Sequence, residues 1–223
     1  SARMDFRCTR TQAYYDSGAW RGKWASEGGA TLINQAIHTI DVVNWICGEP
    51  VAVRGTVEQR VLRTIECEDH ADFTVRYAGG HEAVFHAAND GKSGWVTDVH
   101  VDCERGAFSL GKGCYALTRL EHPSAVLRAD ISAHDQLRER ITAVDDNGGK
   151  TEYGDFHTLQ IADAVSAVIA RRRPRFTIAD AARSVHVVLG AYHAAATGRE
   201  AALPVVGTYS HPVFTSTAAS SKV

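Results

Sequence analysis

No excess of charge marks this chain: 24 basic residues stand against 26 acidic ones, a formal net charge of −2. That balance leaves no electrostatic footprint for a nucleic acid or an anionic membrane. The one basic run, Arg171-Arg172-Arg173, closes a predicted helix, where cations suit the macrodipole. No apolar run approaches the ~18 residues of a membrane span, so no membrane partner is expected. Cysteine is sparse and scattered. Cys8, Cys47, Cys67, Cys103 and Cys114 are odd in number and form no C-x-x-C pair, which argues against a disulfide framework and against a zinc site. A reducing, cytoplasmic compartment is the expectation.

Several motifs are also missing. No G-x-G-x-x-G stands between a strand and a helix; Gly28-Gly29 and Gly111-x-Gly113 lack the third glycine and the βαβ surroundings. Gly149-Lys150-Thr151 resembles the end of a phosphate loop, but the segment reads better as a hairpin turn. There is no G-x-S-x-G elbow, H-E-x-x-H helix or EF-hand loop, and the eleven histidines have no tight ligand spacing, so no metal site is expected. SARMDFRCTR lacks the charged start and apolar core of a signal peptide. It reads as a strand already begun, so the chain is expected to start inside a longer protein.

What is present is ordinary globular material, 44% hydrophobic and 22% charged. Three zones follow one another. Residues 1–48 hold a strand, an aromatic-rich loop and a helix over 34–47, on which Ile33, Ile37, Ile40, Val43 and Cys47 define an apolar face and Gly48 supplies the stop. Residues 51–155 change to period two. Ala71, Phe73, Val75 and Tyr77 alternate with Asp72, Thr74 and Arg76, and Trp95, Thr97, Val99, Val101 and Cys103 alternate with Asp98, His100, Asp102 and Glu104. Turn signals at Gly79-Gly80, Asn89-Asp90-Gly91 and Asp146-Asn147-Gly148-Gly149 separate the strands. Residues 156–198 return to helical spacing: one helix from about Phe156 to Arg171, then a second that opens with the capping box Thr177-x-x-Asp180 and ends near Gly198. This order predicts an α+β fold, an open-faced, mostly antiparallel sheet covered on one face by helices. Residues 1–205 are expected to form one domain, with 206–223 a flexible tail. An apolar sheet face predicts a homodimer or homotetramer formed through it.

The chemistry concentrates in residues 10–48. Asn34, His38 and Asp41 lie at i, i+4 and i+7, within about 60° on an ideal helix. Histidine, with an ordinary pKa of about 6.5, suits proton transfer near neutrality, and Asn34 both donates and accepts, as a hydroxyl-bearing substrate requires. Asp41 either holds the His38 tautomer or caps a neighbouring loop. The same spacing also describes a plain solvated helix face. Just upstream, Arg10, Tyr14, Tyr15, Trp20, Arg21, Lys23 and Trp24 interleave cations with aromatic rings, a mixture suited to a polyhydroxylated ring. Trp20 and Trp24 are read first as packing anchors.

The order YYDSGAWRGKW, then EGGATLINQAIHTIDVVNWICG, resembles the C-terminal domain of the glucose-fructose oxidoreductase / inositol dehydrogenase (Gfo/Idh/MocA) family. Glu68-Asp69-x-Ala71, His157 ahead of Asp163, Arg173-Pro174 and Leu203-Pro204 extend the likeness over about residues 5–205. The resemblance implies a sheet domain like the C-terminal domain of dihydrodipicolinate reductase, partnered by an N-terminal dinucleotide-binding domain that this chain does not carry. It implies NAD or NADP bound mainly by that domain, and a secondary alcohol of a sugar, cyclitol or related compound as substrate. It implies His38 as the catalytic residue and Asn34 as substrate-orienting, with Trp20, Arg21 and His157 lining the pocket; for His157 a helix-start hydrogen bond is an equal reading. The best-understood dehydrogenases of the family carry Asp where this chain has Asn34. Their lysine sits in an E-K-P segment that does not occur here, and Lys23 does not replace it. The contrasting expectation is a non-catalytic carbohydrate-binding or dimerisation module, and a weaker one is a metal-dependent sugar isomerase.

Overall fold

The structure, a computed structural model, describes residues 1–214 except 63, 90, 112–113, 130, 133–153 and 208. The turns expected at Asp146–Gly149 and Gly149–Thr151, and the end of the tail, lie outside the described residues. The chain divides into two compact units, Ser1–Arg119 with Ala182–Val223, and Leu120–Ala181.

The first unit is built on an eight-stranded sheet: β1 (Ala2–Cys8), β2 (Pro50–Glu58), β3 (His70–Tyr77), β4 (Glu82–Asn89), β5 (Trp95–Cys103), β6 (Gly106–Gly111), β7 (Cys114–Leu120) and β8 (Ala201–Ala202), in the order β7-β6-β5-β1-β4-β3-β2-β8. β1 runs parallel to β4 and antiparallel to β5, while β2·β3, β3·β4, β5·β6 and β2·β8 are antiparallel. Alternation decides which side is covered. Ala2, Met4, Phe6 and Cys8 of β1 are buried, as are Ala71, Phe73, Val75 and Tyr77 of β3. Phe73 and Phe85 sit directly opposite each other in register and stack at 4.8 Å. β5 follows the expected pattern only in its middle: Val99 and Val101 are buried, whereas Trp95 is half-exposed and Cys103 exposed.

Two helices cover this face. Ile40 and Val43 of α2 (Ile37–Cys47) join the sheet core, together with Val187, Val188, Ala191 and Tyr192 of the last helix, Ile178–Thr197. The opposite face is charged rather than apolar. Arg3, Asp5, Arg7, Asp72 and Arg76 alternate out of β1 and β3; ion pairs join Arg7 to Asp5 and Arg76 to Glu200, and a hydrogen bond joins the His86 ring to Asp72. The apolar sheet face invoked for self-association is therefore the one the helices already cover.

The helix expected over 34–47 begins differently. Residues Thr31–Ala36 form a π-helical turn that passes into α2, preceded by a short α1 (Gln12–Asp16) and a long loop. The wider turn rotates the buried stripe to Leu32, Gln35, Ala36, Thr39, Ile40, Val43 and Asn44, leaving Ile33 and Ile37 half-buried. Its start is held by Glu68, fully buried, which accepts from the backbone N–H of Leu32 (2.7 Å) and Ala30 (3.2 Å) and from the Tyr192 hydroxyl (2.9 Å). Gly29, at φ 148°, lies so close that a Cβ would meet the Tyr192 oxygen at 2.2 Å, so no larger residue fits there.

In the second unit, α3 (Gly154–Ile169) occupies the place expected for a helix over 156–171, and Asp163 accepts from Arg172 (2.7 Å) and from the Arg175 amide (2.8 Å). The capping box forms: Asp180 takes the Thr177 amide at 2.9 Å and Thr177 Oγ1 takes the Asp180 amide at 3.3 Å, opening α4 (Ile178–Thr197). Gly198, at φ 65°, ends α4 as expected. Part of the supposed tail is packed: Tyr209 and Phe214 lie against the first unit's core, and His211 stacks on Trp24 at 4.5 Å.

Burial pushes the Glu68 carboxyl up to about 7, against donors that pull it down. Its favourable contribution is complete below the ordinary value of 4.5 and is lost as pH rises through about 7. Glu68→Gln removes that titration. In urea unfolding, the stability of the variant relative to the parent should shift in its favour by on the order of 3 kcal/mol between pH 4 and pH 8. Glu68→Ala, which leaves three buried donors without an acceptor, should cost about 3–5 kcal/mol.

Candidate functional site

A second, smaller cluster of Tyr15, Ala30, Leu62, Ile65 and Cys67 pins the loop over residues 10–30 to the segment before β3. Gly22 lies at its centre. Its carbonyl accepts from Glu66 (2.7 Å) and Cys67 (3.2 Å), and at φ 66° an added Cβ would run into Ile65 at 2.5 Å. Asp69 secures the other side, accepting from the amides of Arg60, Val61 and Leu62 and from His70. Burial acts to raise its carboxyl, but the His70 ring and the three amides outweigh that and hold it below the usual range.

On this platform Glu27 bridges two groups. One carboxylate oxygen accepts from the Gly22 amide and the other from the Asn34 side chain. A carboxylate only accepts, so Asn34 must turn its Nδ2 toward Glu27, which leaves its carbonyl oxygen for an incoming hydroxyl. His38, four residues on at the start of α2, is exposed and has no hydrogen-bond partner among the described residues. Asp41 does not hold it. Asp41 accepts from Ser184 Oγ (2.6 Å), which accepts from Asn44 (3.2 Å), whose oxygen takes the Tyr77 hydroxyl (2.8 Å). That chain ties α2 to α4 and β3, and is structural.

Arg21 and Trp20 sit beside Gly22. The Arg21 guanidinium lies 4.4 Å from the Trp20 ring and 4.1 Å from the Tyr14 ring, and donates to the Tyr14 hydroxyl. Trp20 is 46% exposed, whereas Trp24 packs edge-on to Tyr192 at 5.0 Å. Of the two indoles, then, Trp24 is the anchor and Trp20 the accessible one. Arg10 lies on the far side of the same group, its backbone fastened by buried Asn89 through bonds of 2.8 and 3.0 Å. The structure thus brings Trp20, Arg21 and Asn34 onto one platform with His38 at its helical edge. His157 belongs to the second unit, exposed on α3.

Glu27, Glu68, Arg10 and Tyr14 carry more of the site than sequence reasoning assigns them. The available signal was weak: an acidic residue directly before Gly28-Gly29, and an acidic pair opening an apolar alternation. No group of three or more His, Cys, Asp or Glu that could hold a metal occurs among the described residues, and no helix among them is long and apolar enough to cross a membrane. Apart from β1·β4, the strand pairs described above are antiparallel.

Residues 1–109 match the family model of the GFO/IDH/MocA C-terminal domain, the family that the sequence resembles. No curated protein matches the chain. Among solved structures, the WlbA dehydrogenase from Bordetella pertussis, in complex with NADH and UDP-GlcNAcA, has a TM-score of 0.77 at 22% identity over 92% of this chain and 56% of its own. The WlbA dehydrogenase from Chromobacterium violaceum, with the same two ligands, has 0.72 at 20% identity over 92% and 55%. An aldose-aldose oxidoreductase from Caulobacter crescentus, complexed with glycerol, has 0.55 at 20% identity over 91% and 55%. Identities this low carry the fold, and the chain spans about half the length of these structures.

Glu27→Ala should cost about 1–3 kcal/mol in unfolding free energy and accelerate hydrogen exchange at the Gly22 amide, which loses its acceptor. Unchanged exchange at Gly22 in the variant would show that Glu27 does not tie the loop to Asn34.

Proposed function

We propose that this chain, whose residues 1–109 match the GFO/IDH/MocA C-terminal domain, is the substrate-side domain of an NAD- or NADP-dependent oxidoreductase acting on a secondary alcohol of a sugar, cyclitol or related compound. The observation that carries this reading is the pair Asn34 and His38, the first oriented by Glu27 and the second exposed and unengaged among the described residues. The named ligands of the structural relatives, UDP-GlcNAcA and glycerol, support a polyhydroxylated substrate. A nicotinamide, when bound, supplies the hydride acceptor or donor, and a dinucleotide domain beyond these residues would hold it.

The residues of this chain contribute position and proton handling. Asn34 accepts a substrate hydroxyl on the oxygen left free by its bond to Glu27. His38 takes the proton of the reacting hydroxyl in oxidation and returns it in reduction. Trp20 presents an apolar face to the ring and Arg21 donates to its oxygens. His157, on the second unit, is assigned to substrate binding only on the family resemblance.

In the complete protein, His38→Ala should lower kcat by about 10²–10⁴-fold with little change in KM, because the lost interaction belongs to proton transfer. Asn34→Ala should raise KM as well as lower kcat. A protein that shows no sugar-dependent reduction of NAD or NADP across a polyol panel, with or without His38, is a binding or assembly module instead.

A further inference from the structure

Two guanidinium groups in the first unit stand apart by being half-buried without a carboxylate partner among the described residues; Arg3, Arg105 and Arg199 also have no carboxylate partner among them but are exposed. Arg7, Arg54, Arg60, Arg76, Arg119 and Arg183 each pair with a carboxylate. Arg10 and Arg21 are half-buried and have no carboxylate partner among the described residues. The Nε of each is buried without a hydrogen-bond acceptor. Both lie over the Tyr14 ring, at 5.0 and 4.1 Å, and each also meets an indole: Arg10 that of Trp95 at 5.3 Å, Arg21 that of Trp20 at 4.4 Å. The order is therefore Trp20, Arg21, Tyr14, Arg10, Trp95, an alternation of three rings and two cations. The outer indoles are 46% and 49% exposed, while Trp95 also packs edge-on to the core residue Phe6 at 5.2 Å.

Sharing one ring places the two cations no more than ~10 Å apart, about one Debye length, so they repel each other and raise the local positive potential. Each guanidinium donates one in-plane N–H within the chain, Arg10 to the Thr9 carbonyl at 3.3 Å and Arg21 to the Tyr14 hydroxyl, and the rings satisfy its faces; the remaining planar donors match the oxygens of a carboxylate or a phosphate. A fixed pair of half-buried cations with unused donors, held by a bonded backbone at Arg10 and a locked turn at Arg21, is arranged for an anion that arrives from outside.

We propose that Arg10 and Arg21 form an oxyanion-binding subsite, and that the substrate of this domain is an acidic or phosphorylated sugar derivative rather than a neutral sugar. The inference rests on the substrate-domain reading and adds a required charge to it. The subsite lies next to Asn34 through Arg21, Gly22 and Glu27, so the anionic group anchors the molecule while the hydroxyl to be oxidised lies toward Asn34 and His38. Trp20 and Trp95 close the two ends with stacking surfaces.

The test is direct binding to the complete protein, read by titration calorimetry with glucose, glucuronate, glucose 1-phosphate, UDP-glucose and inorganic phosphate. At least one anionic sugar should bind about tenfold or more tightly than glucose, and its affinity should fall as salt rises. The preferred anion separates a carboxylate from a phosphate ligand. Arg10→Gln should weaken that anion about tenfold or more and leave glucose unchanged, and Arg21→Gln, which also removes a donor to the sugar ring, should weaken the anion about tenfold more than it weakens glucose. Arg10→Lys with Arg21→Lys, which keeps both charges without the planar fork, should recover part of the loss and serves as well if the glutamine variants fold poorly. Equal affinity for glucose and every anion, or anion binding indifferent to folded variants at both positions, overturns the proposal. Because binding is read without turnover, the two readings fail separately. Arginine-dependent anion binding with no oxidation removes the enzyme and keeps the subsite; oxidation of a neutral sugar with no anion binding does the reverse.

Discussion

The Glu68 carboxylate has no contact with water, yet three parts of the chain close on it: the turn after Gly29, the π-helical start of α2 and the middle of α4. Taking a carboxylate out of water costs several kcal/mol unless donors replace the lost hydration. Two backbone amides and a phenol do so here, and the raised pKa shows that the replacement is incomplete. The arrangement binds stability to specificity, because only one docking of α4 on the sheet brings Tyr192 to that carboxylate. Apart from Trp95 on β5, the groups proposed for substrate chemistry in the first unit stand on the segment that Glu68 holds or on the loop packed beside it.

Rigidity of that loop comes from a separate source. Tyr15, Leu62, Ile65 and Cys67 make a small core of their own, and Gly22 inserts its backbone where no side chain fits. An irregular segment of some twenty residues is thereby fastened to the segment before β3. Glu27 then transmits the position of the loop to the helix. Groups on two different elements are set by one carboxylate.

The parts legible in the sequence are those governed by local periodicity. β3 reads correctly because its alternation is complete, α4 because Thr177 and Asp180 cap it, and the end of α2 because Gly48 adopts φ 92°. Asn34 and His38 are visible for the same reason, as polar residues at helical spacing. What escapes is decided by long-range partners. The π-turn at 31–36 answers to Glu68, more than thirty residues away, so the ideal-helix angle misplaces the buried stripe and leaves Asp41 for Ser184. The open sheet face reads as apolar only until the helices are docked on the other side. Arg10 reads as one cation among several, since neither Asn89 nor Trp95 is near it in sequence.

The position of β1 has a consequence for how the sheet comes into being. The first strand of the sheet in chain order lies near its middle, and its two neighbours, β4 and β5, follow more than seventy residues later. During synthesis it must wait unpaired while β2, β3 and β4 zip together as a local meander, and long-range pairing of this kind slows folding. Among the described strands, β1 is what joins that meander to the β5–β7 strands. An intact β1 makes one continuous sheet; without it the same hydrogen-bonding pattern describes two smaller sheets, each with a raw edge open to aggregation.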